Sequence, residues 1–366
     1  MNNHVTVLEI DGNALLHNLN YFKQKLQPNT KIMAVVKAFG YGSDGVLVAK
    51  FLEDKVDYFA VAYANEGIAL REANIKTPIL VLHPQIPNLE DIIKYRLEPN
   101  LYNFKILNIF LKLADEFVLM NYPIHIKFNT GLNRLGFWHT DIPKIISDLK
   151  TSNHIKVQSV FSHLAASEDA EEEEFTVNQM NNFAYIVQQI YTHLGYKPML
   201  HILNTSGVIN YPKAQFEMVR IGIGLYGFGN DAEETAQLKN THNLTSIISQ
   251  LHLIEPGETV GYNRAFVAKR PTKTATIPIG HADGISRKLG NKKGFVIINN
   301  QKAKIIGNVC MDMIMVDVTK IDCKEGDQVI IFNHQKMIQH IADAAETIPY
   351  ETLTAISQRV KKVLKQ

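Results

Sequence analysis

The sequence has 366 residues, of which 46% are hydrophobic and 20% are charged, as in a soluble globular protein of about two domains. Its 38 lysines and arginines nearly balance its 36 aspartates and glutamates, so it lacks the concentrated basic surface that nucleic-acid binding requires. Cys310 and Cys323 are too few for a disulfide framework and lack the spacing of metal ligands. Because no leader peptide or membrane-spanning segment is visible, we expect a cytoplasmic protein that binds neither nucleic acid, membrane nor metal.

The first predicted elements are a strand in residues 1–10 and a helix that begins after a capping Asp11. Eight short β-branched runs then alternate with helical segments, at residues 32–36, 58–62, 79–82, 97–101, 124–128, 157–162, 199–204 and 218–221. Eight such units in about 200 residues favour a closed barrel over an open parallel sheet. The predicted fold is therefore α/β, with a (β/α)8 TIM-type barrel in residues 11–235.

After about residue 240 the pattern changes to strands joined by Gly, Pro and Asn turns, at residues 246–254, 274–279, 295–298, 303–306, 313–318 and 329–332. This pattern predicts a C-terminal, mainly β domain in residues 236–366, which the strand in residues 1–10 is expected to join. The apolar spacing of Leu353, Ile356, Val360 and Leu364 predicts a closing helix over residues 350–364.

Polar residues follow several of the predicted barrel strands, at the end where such barrels carry their chemistry. They are Lys37 after the first strand, Lys127 and Arg134 at the fifth, His163 after the sixth, Asn204 and Thr205 after the seventh, and Arg220 and Gly222 at the eighth. The loops after the last two strands are where barrels often hold phosphate. A lysine in apolar surroundings has a lowered pKa and can form a Schiff base. Each residue alone has a structural explanation, such as a solvated charge or a core histidine, but their common rim favours a site for a phosphorylated ligand.

Five motifs are spread along the chain: AVVKAFGYG at residues 34–42, KFNTGLNRLG at 127–136, VRIGI at 219–223, VGYNR at 260–264 and VCMD at 309–312. With the pairs Ser162-His163 and Asn204-Thr205, they resemble the motifs of alanine racemases, which use pyridoxal 5′-phosphate (PLP) and belong to fold type III. The resemblance implies racemisation of L-alanine and D-alanine, which supplies D-alanine for peptidoglycan.

The barrel motifs imply a cofactor site. By resemblance, Lys37 binds PLP covalently, Tyr41 contacts its phosphate, and Arg134 contacts its phenolic oxygen and the substrate carboxylate. Lys127 corresponds to a lysine that is carbamylated in many members and orients the arginine. The remaining cofactor-binding residues implied by the resemblance are His163, Asn204, Thr205, Arg220, Gly222 and Ile223.

The motifs of the β domain imply a second base and a dimer. The resemblance makes Tyr262 of the partner subunit a base opposite Lys37, as removal and return of a proton on opposite faces require. A hydrogen-bonded chain through His163 to Arg220 would favour its phenolate. Met311 is implied to contact substrate, with Cys310, Asp312 and His281 in support. The active site is thus expected to be shared across a homodimer.

The sequence departs from the family pattern at several of these positions. Phe39 and Gly40 stand where Asn and Ala are common, and Asn129 where Asp is frequent. His281 and Gln358 stand where members place tyrosines, which puts part of the substrate-access hydrogen bonding and one phosphate contact in question. Three alternatives remain open: a PLP-binding carrier protein, a fold-type III decarboxylase, and a racemase for serine or another small amino acid.

Overall fold

The computed structural model describes residues 5–366, so residues 1–4 of the first predicted strand lie outside the described part. The helices are α1 Gly12–Lys23, α2 Lys37–Tyr41, α3 Gly45–Leu52, α4 Ala64–Glu72, α5 Leu89–Lys94, α6 Phe104–Glu116, α7 Ile142–Lys150, α8 Glu173–Leu194, α9 Thr205–Asn210, α10 Ala232–Thr235, α11 Gln335–Ala345 and α12 Pro349–Thr354. In residues 5–366 no helix combines the length and apolarity needed to cross a bilayer.

The strands are of two groups. Those of the barrel are β2 Lys31–Val35, β3 Tyr58–Val61, β4 Ile79–Val81, β5 Glu98–Leu101, β6 Tyr122–Lys127, β7 Ile155–Phe161, β8 Met199–His201 and β9 Met218–Ile221. The others are β1 Val7–Asp11, β10 His242–Ile247, β11 Gln250–Ile254, β12 Thr259–Val260, β13 Phe266–Val267, β14 Thr272–Ile277, β15 Phe295–Ile298, β16 Gln301–Ile306, β17 Ile314–Asp317, β18 Gln328–Phe332 and β19 Lys361–Lys365.

The eight barrel strands form one parallel sheet in the order β8-β7-β6-β5-β4-β3-β2-β9. The two outer strands, β8 and β9, approach each other, and the Arg220 N–H donates to the Leu203 carbonyl across 3.1 Å. This hydrogen bond nearly closes the sheet, and the predicted (β/α)8 barrel is confirmed. All eight predicted runs coincide with its strands to within a few residues.

The second large sheet has nine strands in the order β11-β14-β17-β16-β15-β18-β10-β1-β19. Strand β1 pairs antiparallel with β10 and parallel with β19, so the start and the end of the chain lie side by side in it. The mainly β character of the C-terminal part is confirmed. The predicted domain boundary at residue 236 falls between α10 and β10.

Two predictions in the C-terminal part are wrong. The helix expected over residues 350–364 ends at Thr354 as α12, and the chain then forms strand β19, because β1 offers an edge with which residues 361–365 pair. The single strand expected over residues 246–254 is two strands, β10 and β11, which pair with β18 and β14 respectively.

Helix α1 lies against the loop after the last barrel strand. Its N-terminus is capped as predicted, because Asp11 accepts the Ala14 N–H across 2.9 Å. Its apolar face buries Phe22 completely, and a Cβ atom built on Gly224 would lie 2.4 Å from the Phe22 ring. Only glycine therefore permits the chain to pass this close to α1 on its way through the loop that follows β9.

Candidate active site

A cavity of about 590 Å³ lies at the carboxyl ends of the barrel strands, a size typical of sites for small ligands. It brings together every barrel residue predicted for the site: Lys37, Tyr41, Lys127, Arg134, His163, Asn204, Thr205, Arg220, Gly222 and Ile223.

The segment after Lys37 is a left-handed helical turn. All five residues from Ala38 to Gly42 have positive φ, between +51° and +83°. This conformation costs about 1–2 kcal/mol for each non-glycine residue, so surrounding contacts must hold it. Within the turn, the Gly40 N–H donates to the Val36 carbonyl across 2.8 Å. The turn directs the chain away from β2 immediately after the lysine.

Glu66 contacts this turn from helix α4. One of its carboxylate oxygens accepts the Ala38 N–H across 2.6 Å, and the other accepts the N–H groups of Ala62 and Tyr63 across 2.7 and 3.2 Å. Glu66 belongs to none of the motifs in the sequence. Its position in the first turn of α4 predicts a capping carboxylate, but no sequence pattern indicates the contact with Ala38.

The two lysines of the cavity are less basic than usual. Burial, followed by the positive charges of Arg134 and Arg220, lowers the pKa of Lys37, which Glu66 partly opposes. Burial and the same arginines lower the pKa of Lys127 to about 7. A substantial fraction of Lys127 therefore carries a neutral, nucleophilic amine near neutral pH.

Arg220 is 4% exposed and is held by a set of acceptors. Its Nη2 donates to the Ser162 and Ile202 carbonyls and to His163 Nδ1, the last across 3.0 Å. Its Nη1 contacts His201. Its Nε–H has no hydrogen-bond partner among residues 5–366 and remains available to a ligand.

The contact with Arg220 also determines which ring nitrogen of His163 carries the proton. A guanidinium only donates, so His163 Nδ1 accepts and the ring proton lies on Nε2. Burial and the charge of Arg220 hold the pKa of His163 well below its usual value. The cavity thus contains a neutral histidine that can donate a hydrogen bond from Nε2.

Around Gly222, a side chain of the cavity lies directly against the backbone. A Cβ atom on Gly222 would lie 2.4 Å from the Tyr41 hydroxyl, so any other residue would displace that side chain. The Thr205 hydroxyl accepts the Gly222 and Gly224 N–H groups across 3.1 and 3.4 Å. A hydroxyl and glycine backbone in this arrangement suit a phosphate group.

Five residues predicted for the site do not line the Lys37 cavity: Tyr262, Cys310, Met311, Asp312 and His281. Tyr262, Cys310, Met311 and Asp312 line a separate cavity of about 480 Å³ in the β domain. Tyr262 is 74% exposed and Met311 58%. Within one chain, these residues do not reach the Lys37 cavity.

Backbone hydrogen bonds and an arginine connect the loops that carry these residues. The His281 N–H donates to the Cys310 carbonyl across 2.9 Å. Arg359 contacts Asp312 across 2.8 Å and Asp283 across 3.3 Å. The loop at residues 310–312 is therefore held from two sides, and His281 belongs to this group rather than to the barrel cavity.

Models of known protein families match both the barrel and the C-terminal part of the chain. Residues 10–230 match the family model for the alanine racemase N-terminal domain, and residues 241–364 match that for the C-terminal domain. The chain belongs to the alanine racemase family.

Individual relatives match over nearly the full length. Alanine racemase 1 of Caldanaerobacter subterraneus subsp. tengcongensis is 34% identical, over 98% of this chain and 94% of its own. A solved alanine racemase of Clostridium difficile 630 has a TM-score of 0.93 and 32% identity, covering 100% of this chain and 97% of that chain. A Bartonella henselae alanine racemase solved with covalently bound pyridoxal phosphate has a TM-score of 0.88 and 28% identity, covering 99% and 100%.

Gln358 and a nearby tyrosine, Tyr350, lie in different cavities. Gln358 lines a different cavity, beside Phe39, and does not line the one that contains Lys37. Tyr350 does line the Lys37 cavity, with its ring centroid 6.1 Å from that of Tyr41. Burial raises the pKa of Tyr350 to about 12, so its hydroxyl is protonated and can donate. Tyr350 lies eight residues before Gln358, so a comparison of motifs at residue 358 does not find it.

Proposed function

We propose that this chain is an alanine racemase that uses pyridoxal 5′-phosphate to interconvert L-alanine and D-alanine, and so supplies D-alanine for peptidoglycan. The observation that carries the proposal is the single cavity in which a lysine of lowered pKa, the Arg220–His163 pair and the Tyr41–Gly222 end lie together. Family membership supports the same reaction.

The residues present fit the cofactor. Because Gly222 has no Cβ atom, the Tyr41 hydroxyl can lie against its backbone, and this hydroxyl and the bare backbone can contact one phosphate group. Phosphate is assigned to Tyr41 together with Asn204, Thr205, Gly222 and Ile223, and the ring nitrogen to the Arg220 Nε–H. Lys37 is assigned the covalent attachment, because its amine is readily deprotonated. When bound, pyridoxal phosphate supplies the electron-withdrawing ring that makes the α-hydrogen of an amino acid acidic.

Two bases then act on opposite faces of the amino acid. Lys37 exchanges the α-proton at its Nζ on one face, and the partner subunit's Tyr262 exchanges it at its hydroxyl oxygen on the other. The high exposure of Tyr262 and its distance from the Lys37 cavity within one chain support a homodimer in which the partner completes the site.

Arg220 and His163 set the charge around these bases. The His163 Nε2–H is assigned to the partner subunit's Tyr262, where it favours the phenolate over the neutral phenol. Arg220 can donate to the ring nitrogen but cannot supply it with a proton in practice, because arginine remains charged. A ring whose nitrogen is unprotonated would withdraw electron density less strongly, which would suppress transamination.

Substrate binding is assigned to Arg134, which pairs with the alanine carboxylate. Lys127 is proposed to be carbamylated, because its amine is close to half neutral at pH 7 and the new negative charge would lie among Arg134, Arg220 and Lys37. From the partner side, Met311 is proposed to contact the substrate, supported by Cys310, Asp312 and His281.

The test of the proposed function is the optical rotation of L-alanine over time with PLP-loaded protein. The rotation should decay to zero with the wild type and remain constant with Lys37→Ala, which keeps the fold but removes the amine. A constant rotation with the wild type while PLP stays bound would refute alanine racemisation. L-serine in the same assay would then show whether another small amino acid is the substrate.

A further inference from the structure

Five neighbouring barrel strands each contribute a buried polar side chain to one connected set, whereas branched apolar residues usually fill the interior of such a barrel. They are Glu98 of β5, His125 of β6, Ser159 of β7, His201 of β8 and Arg220 of β9. Glu98 is 8% exposed, Arg220 4%, and the other three are fully buried. These five residues are called the polar wire below.

Each member of the polar wire is hydrogen-bonded to the next. His125 Nε2 lies 2.7 Å from a Glu98 carboxylate oxygen, and His125 Nδ1 lies 2.6 Å from Ser159 Oγ. Ser159 Oγ lies 2.9 Å from His201 Nε2, and His201 Nδ1 contacts Arg220 Nη1. Burial without such partners would cost about 1–3 kcal/mol for each polar group, so the continuity of the wire is what makes it tolerable.

The chemistry of the two ends fixes the direction of these hydrogen bonds. Arginine only donates, so His201 Nδ1 accepts and the Nε2–H donates to Ser159. A carboxylate only accepts, so the His125 Nε2–H donates to Glu98. When His125 is neutral, its Nδ1 accepts the remaining proton, that of the Ser159 hydroxyl. Every donor then points from Arg220 toward Glu98.

We propose that Glu98, His125 and Ser159 are positioning residues that hold Arg220 through His201, with Glu98 as the counter-charge of its buried guanidinium. Among the described residues, the direct acceptors of Arg220 are two imidazoles and three carbonyls, none of which carries a negative charge. This inference rests on the proposed function, since the Arg220 Nε–H is the group assigned to the cofactor ring nitrogen.

The charged groups around Arg220 and around Glu98 determine whether loss of the Glu98 charge raises or lowers the pKa of a base beside Arg220. Among residues 5–366, Glu66 is the one acidic group of those that face Arg220 or its neighbours in the cavity. These groups are Lys37, Glu66, Lys127, Arg134, His163 and His201. Those near Glu98 are Tyr58, Arg71, Tyr122 and His125. Removing the charge of Glu98 makes the potential at Arg220 more positive, which lowers the pKa of a base beside it.

The first measurement is made on the wild-type protein, with variants used only to assign signals. Nitrogen NMR of histidine-labelled wild-type protein, with His125→Asn and His201→Asn for assignment, should show both imidazoles protonated on Nε2 and His201 neutral near pH 7.5. An Nδ1-protonated His201 would overturn the polar wire, and a doubly protonated His125 would overturn its single direction. Because the measurement applies with or without PLP, it does not depend on the racemase activity.

The second measurement is the pH titration of the absorption of bound PLP. Glu98→Gln retains an acceptor for His125 but loses the charge. The pH midpoint of this titration should therefore be lower in the variant than in the wild type, by on the order of 0.5 pH unit. The matched control is Glu217→Gln, an exposed carboxylate that accepts the Leu200 N–H across 2.9 Å outside the polar wire; its midpoint should equal that of the wild type. Ser159→Ala keeps the charge but removes the acceptor of the His201 Nε2–H, so the Nε2 signal of His201 should shift while Arg220 keeps Nδ1 unprotonated.

These outcomes separate the two proposals. A wild-type protein that binds no PLP and does not racemise alanine would refute the proposed function. A wild-type protein that does both, with a Glu98→Gln titration identical to its own and His201 unchanged in Ser159→Ala, would refute the role of the polar wire alone.

Discussion

The carboxylate of Glu66 accepts the N–H of Ala38 across 2.6 Å, directly after the lysine assigned to the cofactor. The same carboxylate also raises the pKa of Lys37 against the effect of burial. Glu66 therefore has two roles, because it holds the left-handed turn and keeps the lysine more basic than burial alone would allow.

Glu66→Gln should therefore lower the pKa of Lys37 further. The rate at which PLP attaches to the cofactor-free protein depends on the neutral amine, so its pH midpoint should move to lower pH than in the wild type. The matched control is Glu72→Gln at the end of the same helix, which should leave the midpoint in place. A Glu66→Gln midpoint at or above the wild-type value would show that the carboxylate does not act on Lys37.

Gly222→Ala should weaken PLP binding at least about tenfold, because the added Cβ would lie 2.4 Å from the Tyr41 hydroxyl and displace it. The dissociation constants of PLP and of pyridoxal, which lacks the phosphate, should be measured by fluorescence. The loss should be much larger for PLP. Equal losses for both ligands would contradict the assignment of this end of the cavity to phosphate.

Lys127 should take up carbon dioxide in a pH-dependent manner. Its pKa of about 7 means that the neutral, reactive amine increases as the pH rises from 6 to 8, so carbamylation should increase over the same range. Carbon NMR with ¹³C-labelled bicarbonate should show one carbamate signal, which is absent from Lys127→Met. Failure to detect the signal at pH 8 in the wild type would rule out the modification.

Tyr262→Phe should affect the two enantiomers unequally. If the partner subunit's Tyr262 removes the proton from L-alanine and Lys37 removes it from D-alanine, exchange of the α-hydrogen in deuterium oxide should slow far more for L-alanine, by about 10²-fold or more. Proton NMR of each enantiomer measures this directly. Equal slowing of both would be incompatible with the assigned faces.

The sequence was sufficient for the barrel and for most of its site. The period of the β-branched runs located all eight barrel strands, and the residues after them line one cavity. Sequence patterns failed where pairing or a distant contact decides the outcome. Residues 361–365 form a strand only because β1 offers its edge, and Glu66 matters through a hydrogen bond to Ala38, 28 residues away.

The buried polar residues of the barrel were missed for a related reason. His125 and His201 each alternate with apolar neighbours and resemble ordinary core positions in the sequence. Only the meeting of five strands shows that they connect Glu98 to Arg220. A single sequence carries no signal for a network whose members lie on separate strands.

The most direct test of the central claim, that Lys37 of one chain and Tyr262 of its partner act on one alanine, is to mix two inactive variants. Lys37→Ala and Tyr262→Phe homodimers should each be nearly inactive, and their subunits should be exchanged by mild denaturation and refolding with PLP. Half of the resulting dimers are then mixed and each has one intact site, so the racemase activity should recover to about one quarter of the wild-type value. A mixture no more active than the sum of the two variants would contradict a shared active site.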